Sequence, residues 1–488
     1  MFSRNNSCFV SIMLKSVKNI IKDKQGFFRN VSILTICNMI VIILNLFINM
    51  YLARVLKPEG YGQYGFVVAL SNILVTISSL GIQQVVMRRV AQNQQASWKE
   101  FKISMIARML GYLAFLLPFL LYCHFLDKTT PMLTMMIVLN ALVLTTWSGI
   151  QNIAFGMQRM EYTGYINMGA TVVILLLYII YPKSKISVNV ALLTLVVVSL
   201  VKDILYYYKC HQENLFTGND DHSVTRTEII ALVRESFPFY CLAIFTLFST
   251  DWPVVFLNNH SGSVEVAYYD SANKILKPAA IILTTIMSAL LPNLSKEYVR
   301  NKQMFAHKVN MMFKTLILVG TLICFFISLF RKEIVYIVFG EDYKSTGDVL
   351  LAQCWYVVFH ALFALFGNAL AAMHKEKLLM ILSMIYAIVC FLIFWPTSYY
   401  GAMALSRGVV FMCIINMIYH FVYFKKNLAG FISYKEALSL FGITLVVLII
   451  SFSIDDINYL FYKLIFVSLL FLIIFLYRKK FSHYISSD

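Results

Sequence analysis

Apolar runs make up most of the chain, and short polar stretches separate them. A transmembrane helix needs about 20 consecutive apolar residues. Fourteen runs reach or approach that length, and the thirteenth is the shortest. They cover residues 31–50, 61–82, 103–126, 131–150, 164–182, 188–208, 237–257, 268–292, 310–330, 349–372, 379–396, 401–424, 437–451 and 460–477. The pattern predicts an all-α integral membrane protein with about 14 transmembrane helices.

The distribution of charge along the chain agrees with this topology. The sequence has 488 residues, of which 60% are hydrophobic and 13% are charged, and its net charge is +17. Lys and Arg concentrate in the cytoplasmic loops of membrane proteins. If the N-terminus is cytoplasmic, the inner stretches hold 27 of the 41 Lys and Arg residues, and the outer loops hold eight. We therefore expect both termini in the cytoplasm, and the positive charge requires no nucleic-acid partner.

The sequence also contains a weak internal repeat. A shift of about 205 residues places EGYGQYGFVVALSNIL (59–74) on VEVAYYDSANKILKPA (264–279), and each segment opens a span after an outer turn. Six helices per repeat keep the same sidedness, which relates the halves by an axis along the membrane normal. We predict two pseudo-symmetric six-helix bundles plus two C-terminal helices. The predicted segments are a cytoplasmic N-terminal segment (1–30), the bundles (31–208 and 237–424), a cytoplasmic linker between them (209–236), the additional helices (437–477) and a cytoplasmic tail (478–488).

Residues that would support catalysis or metal binding are not grouped in this sequence. The nine Cys are scattered without a CxxC pair or a Cys/His cluster, so the sequence predicts neither a metal site nor a disulfide framework. The longest polar stretch, 209–236, is too short for an extramembrane catalytic domain. We expect no enzymatic activity and no cofactor.

The first outer turn, YLARVLKPEGYGQYG (51–65), places Pro, Gly, Tyr and charged residues between two apolar runs. Pro58 favours a turn and Gly60 tolerates positive φ, so we expect a β-turn at KPEG. Tyr side chains suit the membrane interface, where one side of the ring meets lipid and the other meets water.

This turn and several later segments resemble those of the polysaccharide repeat-unit flippases. ARVLKPEGYGQYG is similar to the family's first outer loop, which is close to R-x-L-G-P-E-x-Y-G-x-Y, with Lys57 in place of the usual Gly. The resemblance extends from about residue 30 to 430. Its other segments are GIQQVVMRRVAQ (81–92), FGMQRMEYTGYIN (155–167), AYYDSANKILKP (267–278) and IVYIVFGEDYKST (334–346).

The resemblance is to the O-antigen flippase (Wzx-type) family, within the multidrug/oligosaccharidyl-lipid/polysaccharide exporter superfamily. It implies a V-shaped, MATE-like fold with a cationic central cavity. It implies transport of undecaprenyl-pyrophosphate-linked oligosaccharide from the cytoplasmic to the periplasmic leaflet of the bacterial inner membrane. It also implies that membrane lipids, a polysaccharide polymerase and a chain-length regulator are partners.

The eighth span carries two lysines. Ionisable residues within a membrane span are energetically costly, so they usually have a functional role or a charged partner. Lys274 and Lys277 share one helix face, and Lys277 lies about 14 Å from the outer end of the span. Pro278 follows and predicts a kink or break, which is a feature of transporter substrate sites. We expect Lys277 to line a substrate cavity, and the alternative is an internal ion pair.

Asp251 and Arg407 lie at a depth similar to that of Lys274. If their helices face one cleft, the three side chains form a charged layer there. The alternative is a structural ion pair between Asp251 and Lys274. A carboxylate at this level could also bind a coupling cation, H⁺ or Na⁺.

Other polar residues within or beside the spans are further candidates for the cavity. Arg108 is near the cytoplasmic end of its span, and we expect it to snorkel to the surface, with a place in the cavity as the alternative. Asn45 and Asn49 lie on one stripe of the first helix, and Asn72 lies in the second span. These amides either form hydrogen bonds between helices or face the sugar of the cargo.

A pair of arginines, Arg88 and Arg89, lies at the inner mouth between the second and third spans. The positive-inside rule explains them. They could also gather an anionic lipid head group.

Two other function classes remain as alternatives. A drug or cation antiporter of the same fold would favour acidic residues in its cleft. A polysaccharide polymerase or ligase would need a large outer loop, whereas the longest outer loop here is 331–348. Flipping of a lipid-linked glycan is therefore the predicted function.

Overall fold

The computed structural model describes residues 4–126, 129–218 and 223–453 and contains only helices and loops in that part of the chain. The α-helices are α1 (Arg4–Ser78), α2 (Ile82–Gln92), α3 (Ser97–Leu126), α4 (Pro131–Gly156), α5 (Met160–Ile180), α6 (Val188–Gln212), α7 (Arg226–Thr250), α8 (Trp252–Ser261), α9 (Ser263–Arg300), α10 (Lys302–Leu329), α11 (Arg331–Val338), α12 (Thr346–Gln353), α13 (Tyr356–Ala372), α14 (Glu376–Thr397), α15 (Gly401–Asn427) and α16 (Tyr434–Ser453).

The helices agree with the spans predicted from the apolar runs. Within the described residues, nine helical stretches are long and apolar enough to cross a membrane. Two of them, Ser32–Ser78 and Lys377–Asn427, are each long enough to hold two of the predicted spans. The predicted span 437–451 lies within α16. The last predicted span and the cytoplasmic tail lie outside the described residues.

The chain divides into two compact units. Of the described residues, those within 1–49 and 70–244 form the first unit, and those within 50–69 and 245–488 form the second. Helices α1 and α7 are therefore each shared between the units. The predicted bundles follow chain order and lack this exchange, because local sequence does not show that the first outer turn packs against later helices.

A short amphipathic helix helps to form the core of the first unit. The four buried residues of α2 pack with residues of α4 and α6, and this cluster includes Ile82, Val85, Val86, Val90, Trp147, Ile150, Ile153, Tyr206 and Cys210. Gly81 precedes α2 with a φ of 66°. A Cβ atom at Gly81 would lie 2.3 Å from the main-chain nitrogen of Tyr240 on α7, so only glycine permits this approach.

The first outer turn differs from the expected β-turn at KPEG. Helix α1 is broken at a single residue, Lys57, with φ 61° and ψ 171°, and the helix resumes at Pro58. Pro suits the first position of a helix because the N–H that it lacks would have no partner there. Gly262, at φ 91° and ψ 174°, has similar backbone geometry before α9. The two positions are separated by the predicted repeat of 205 residues.

Several contacts hold this turn within the second unit. Lys57 forms an ion pair with Asp342, with an Nζ–Oδ2 distance of 2.5 Å. The Tyr343 hydroxyl donates to the main-chain oxygen of Ala53 at 3.1 Å, and burial raises the pKa of this hydroxyl. Arg54 donates to main-chain oxygens at the end of α11. These bonds explain why residues 50–69 belong to the second unit.

The expected break at Pro278 is absent, since α9 continues through it from Ser263 to Arg300. The interruption lies instead at Asp251, between α7 and α8, and Pro253 occupies the first turn of α8. Membrane helices can contain Pro where surrounding groups compensate for the lost hydrogen bond. A helix break of the expected kind is therefore one helix earlier in the chain, and a kink at Pro278 stays a prediction.

Candidate functional site

A cavity of about 180 Å³ lies among helices of the second unit. Helix α9 contributes Tyr269, Asn273 and Lys277, which are spaced four residues apart and so lie on one face. The Lys277 side chain is exposed and lines the cavity. Helices α7, α13, α14 and α15 supply other walls.

The charge in this cavity comes from Lys277. Among the described residues that line it, Lys277 is the one Lys or Arg, and none is Asp or Glu. Lys274, one turn earlier, pairs with Asp270 on the same helix, with an Nζ–Oδ2 distance of 3.4 Å. Asp270 therefore offsets the charge of Lys274, and the ion pair that we considered between Asp251 and Lys274 stays a prediction.

Buried amides form part of the cavity wall. Gln353 Nε2 donates to Asn273 Oδ1 at 3.0 Å, and the Ser406 hydroxyl donates to Gln353 Oε1 at 3.2 Å. All three residues are buried. These bonds connect α9, α12 and α15 and hold the two amides in one orientation, so polar groups are presented to the cavity in a fixed arrangement.

Aromatic rings form another part of the wall. Tyr356 and His360 on α13 stack with a centroid distance of 4.9 Å and an interplanar angle of 22°. Phe363 on α13 stacks with Tyr386 on α14 at 6.3 Å and 18°. All four residues line the cavity. The wall can therefore accept a flat or ring-shaped group beside its hydrogen-bonding groups.

Asp251 and Arg407, the other members of the predicted charged layer, have different surroundings. Asp251 accepts a hydrogen bond from the Thr250 hydroxyl at 2.7 Å. Arg407 is exposed, and its guanidinium lies 3.6 Å from the sulfur of Met403 on the same helix. Neither is among the residues that line the cavity, and their roles in the charged layer stay predictions.

Arg108 does not snorkel as we expected, because its side chain is fully buried in the first unit. Its Nη1 donates to the Ser148 hydroxyl on α4 at 2.5 Å. The Nε and Nη2 atoms are buried without a hydrogen-bond partner among the described residues. Counting depth along one helix overlooked α4, which covers this side chain.

The asparagine candidates also belong to the first unit. Asn45 is exposed, and its main-chain oxygen accepts a hydrogen bond from Asn49 Nδ2 at 2.6 Å. Asn72 is half-buried. None of the three lines the cavity described above, and their contact with sugar stays a prediction.

The inner-mouth arginines are paired with carboxylates. Arg88 and Arg89 both form ion pairs with Glu235 on α7, and Arg89 also lies 3.4 Å from Glu100 on α3. These contacts join three helices of the first unit. They reduce the positive charge that the two side chains could offer to a lipid head group.

Most residues of the cavity wall were not predicted from the sequence. Gln353, Tyr356, His360 and Phe363 recur at intervals of three or four residues and so share one helix face. That spacing of polar and aromatic residues could have identified the α13 wall. In the described part of the chain, no cluster of His, Cys, Asp or Glu could hold a metal ion.

Two family models match the sequence. The model described as polysaccharide biosynthesis protein matches residues 27–297, which is more than half of the chain. The model described as MatE matches residues 240–399. No curated protein sequence matches the chain.

Solved structures of membrane transporters resemble the chain over most of its length. The lipid II flippase MurJ, in an inward closed conformation, is 13% identical with a TM-score of 0.72, covering 92% of this chain and 99% of that chain. An inward-facing multidrug resistance MATE family transporter of the MOP superfamily is 17% identical with a TM-score of 0.58, covering 82% and 98%. A mutant of the Vibrio cholerae MATE transporter VcmN is 13% identical with a TM-score of 0.56, covering 83% and 96%. The predicted all-α, MATE-like membrane fold is confirmed.

Proposed function

The chain belongs to the polysaccharide biosynthesis protein family, and from this premise we propose that it flips a pyrophosphate-linked glycan lipid across the bacterial inner membrane. The cargo is undecaprenyl-pyrophosphate carrying an O-antigen or related oligosaccharide unit, and it moves from the cytoplasmic to the periplasmic leaflet by alternating access. The observation that carries the proposal is the position of Lys277 in a cavity whose lining contains no Asp or Glu among the described residues.

This cavity suits the chemistry of such a cargo. A pyrophosphate needs cationic partners, and charge-assisted hydrogen bonds from Lys or Arg supply them. Sugar hydroxyls need hydrogen-bonding partners such as amides, which Asn273 and Gln353 offer. The name of the lipid II flippase describes a protein that moves a lipid, and the shared fold supports the same kind of transport here.

A drug or cation antiporter is the second candidate, because the MatE model matches residues 240–399. A cationic substrate needs a carboxylate or a similar acceptor in its site, since a buried charge without a partner is costly. Asp270 is near the cavity but is paired with Lys274. A polysaccharide polymerase or ligase has no supporting observation in the described residues.

The proposal includes topology, partners and driving force. The predicted inner side holds 27 Lys and Arg residues, and the predicted outer loops hold eight. This difference supports cytoplasmic termini. A polysaccharide polymerase and a chain-length regulator would act on the flipped product. H⁺ or Na⁺ is the proposed coupling cation.

The test replaces Lys277 in cells that depend on this chain for surface polysaccharide. Lys277→Ala and Lys277→Asp should abolish transport and leave lipid-linked units on the cytoplasmic leaflet, because the pyrophosphate loses its cationic partner. Lys277→Arg keeps the charge and should retain part of the activity. Lys344→Ala is the matched control, since Lys344 is 77% exposed and pairs only weakly with Glu341 at 3.7 Å.

The measurements are the amount of surface polysaccharide and the sidedness of the lipid-linked units, with the level of folded, inserted protein as reference. Wild-type surface polysaccharide in Lys277→Asp cells would contradict the proposal. Altered drug resistance on deletion, with normal surface polysaccharide, would favour the antiporter.

A further inference from the structure

The cavity in the second unit is too small for the whole head group of the proposed cargo. Its volume is about 180 Å³. A cavity of about 150 Å³ can hold one benzene ring, whereas drug-sized ligands occupy pockets of roughly 300–1,000 Å³. The cavity therefore has room for one six-membered ring, and an oligosaccharide with its pyrophosphate must extend outside it.

The aromatic part of the wall suits the apolar face of a sugar. One face of a pyranose ring presents several C–H groups, which carry partial positive charge and pack against the negative face of an aromatic ring. The Tyr356–His360 and Phe363–Tyr386 stacks both line the cavity. A phosphate group would gain nothing from the negative faces of these rings.

The amide part of the wall suits the hydroxyl groups of a sugar. An Asn or Gln side chain offers two N–H donors and two acceptor lone pairs. The bond from Gln353 to Asn273 uses one donor and one acceptor, and the bond from Ser406 uses one further acceptor. Each amide therefore keeps hydrogen-bonding capacity, in an orientation that these bonds have already set.

We propose that this cavity is a pyranose subsite that takes one sugar ring of the cargo between the aromatic stacks and the Asn273–Gln353 amides. The proposal rests on the proposed function, and it adds that Lys277 meets the phosphate next to this ring. Selection among cargoes by this cavity then depends on the hydroxyl and N-acetyl pattern of one ring, and the other sugars contribute little to binding there.

The test is saturation-transfer difference NMR on the full chain in nanodiscs. The probes are free N-acetylglucosamine, glucose, galactose and rhamnose at millimolar concentration, with inorganic pyrophosphate as a non-sugar probe. At least one monosaccharide should receive magnetisation at its ring protons from the wild-type protein. Addition of pyrophosphate should leave this signal in place, because the ring and the phosphate occupy different positions.

Two cavity variants and two matched controls make the test specific. Tyr356→Leu removes a stacking ring, and Asn273→Leu removes an amide. Losing a buried hydrogen bond costs about 1–3 kcal/mol, so Asn273→Leu should weaken binding by roughly 5- to 150-fold. The controls Tyr400→Leu and Asn427→Leu change exposed residues that do not line the cavity, and they should bind as the wild type does.

The absence of a signal for every monosaccharide would overturn the proposal. An equal signal in wild type and in both cavity variants would also overturn it, by moving the sugar elsewhere. If Asn273→Leu lowers the yield of folded protein, the isosteric Asn273→Asp replaces the N–H donors with a charged, acceptor-only carboxylate and should still weaken binding of a sugar hydroxyl that accepts from Asn273.

Failure of the subsite and failure of the proposed function give different results. If Lys277→Ala abolishes flipping but no monosaccharide binds, the function stands and the subsite fails. If monosaccharides bind as expected but Lys277→Asp flips normally, the subsite stands and the assignment of Lys277 to the phosphate fails.

Discussion

At Lys57, which forms the one-residue turn in α1, the usual order of stability between Ala and Gly should be reversed. At most helical positions, Ala is more stable than Gly by about 0.5–1 kcal/mol. Lys57 has φ 61° and ψ 171°, in a region that is essentially restricted to Gly and costs other residues about 1–3 kcal/mol. We therefore expect Lys57→Gly to be more stable than Lys57→Ala.

The magnitude follows from three contributions to the free energy of unfolding. Lys57→Gly removes the backbone strain but loses the ion pair with Asp342, whose side chains are 65% and 51% exposed. Such an exposed pair contributes about 0–1 kcal/mol. With mid-range values for strain, ion pair and glycine entropy, Lys57→Gly stabilises by roughly 1 kcal/mol. Lys57→Ala keeps the strain and destabilises by about 0.5 kcal/mol.

Thermal unfolding of the purified protein in detergent measures this difference. A change of 1 kcal/mol moves the Tm by roughly 2–4 °C in chains of 150–250 residues and by less in longer ones, so we expect Lys57→Gly to melt roughly 2 °C above Lys57→Ala. Gly262→Ala is the matched control at the equivalent turn, where φ is 91° and ψ is 174°, and it should lower the Tm. A Lys57→Ala variant that melts at or above Lys57→Gly would refute the reasoning.

Three further predictions concern packing and buried charge. A Cβ atom at Gly62 would lie 1.8 Å from a main-chain oxygen of α9, so Gly62→Ala should destabilise the protein by about 1–3 kcal/mol. Gly169→Ala is the control: a Cβ atom there would have no other atom of the described residues within 4 Å, so the Tm should be almost unchanged. Arg108→Met should keep or raise the Tm, because a buried charge that lacks hydrogen-bond partners on Nε and Nη2 among the described residues is costly. A large fall in Tm would show that the guanidinium is needed for folding. Asp270→Asn should lower the Tm, because it leaves Lys274 without its carboxylate. Adding Lys274→Met should restore the Tm while flipping continues. A folded double variant that cannot flip would identify Lys274 as the cargo-binding cation.

The helices could be predicted from sequence because each is encoded locally. A run of about 20 apolar residues is readable without knowledge of any other segment, and the predicted spans agree with the described helices for that reason. The repeat was also recoverable, and the shared backbone geometry of Lys57 and Gly262 supports it more strongly than residue identity does.

The site was predictable only in part. Lys277 could be found because a charge deep within an apolar run is conspicuous. The i, i+4 spacing of Asp270 and Lys274 could have shown which lysine is paired, although we had considered Asp251 as the partner. The Asn273–Gln353 bond joins residues 80 positions apart, and no local pattern predicts such a contact.

Under the proposed function, the pairing of Lys274 with Asp270 affects how readily the cargo is released. Two opposite charges 4 Å apart attract by about 4 kcal/mol at an effective dielectric constant of 20, and this energy corresponds to a factor of about 10³ in Kd. A second unpaired lysine at the same distance would add a similar amount, which would tighten binding by about three orders of magnitude. Asp270 offsets Lys274 and leaves Lys277 as the cation that lines the cavity. The arrangement therefore favours an attraction strong enough to select an anionic head group and weak enough to let it leave.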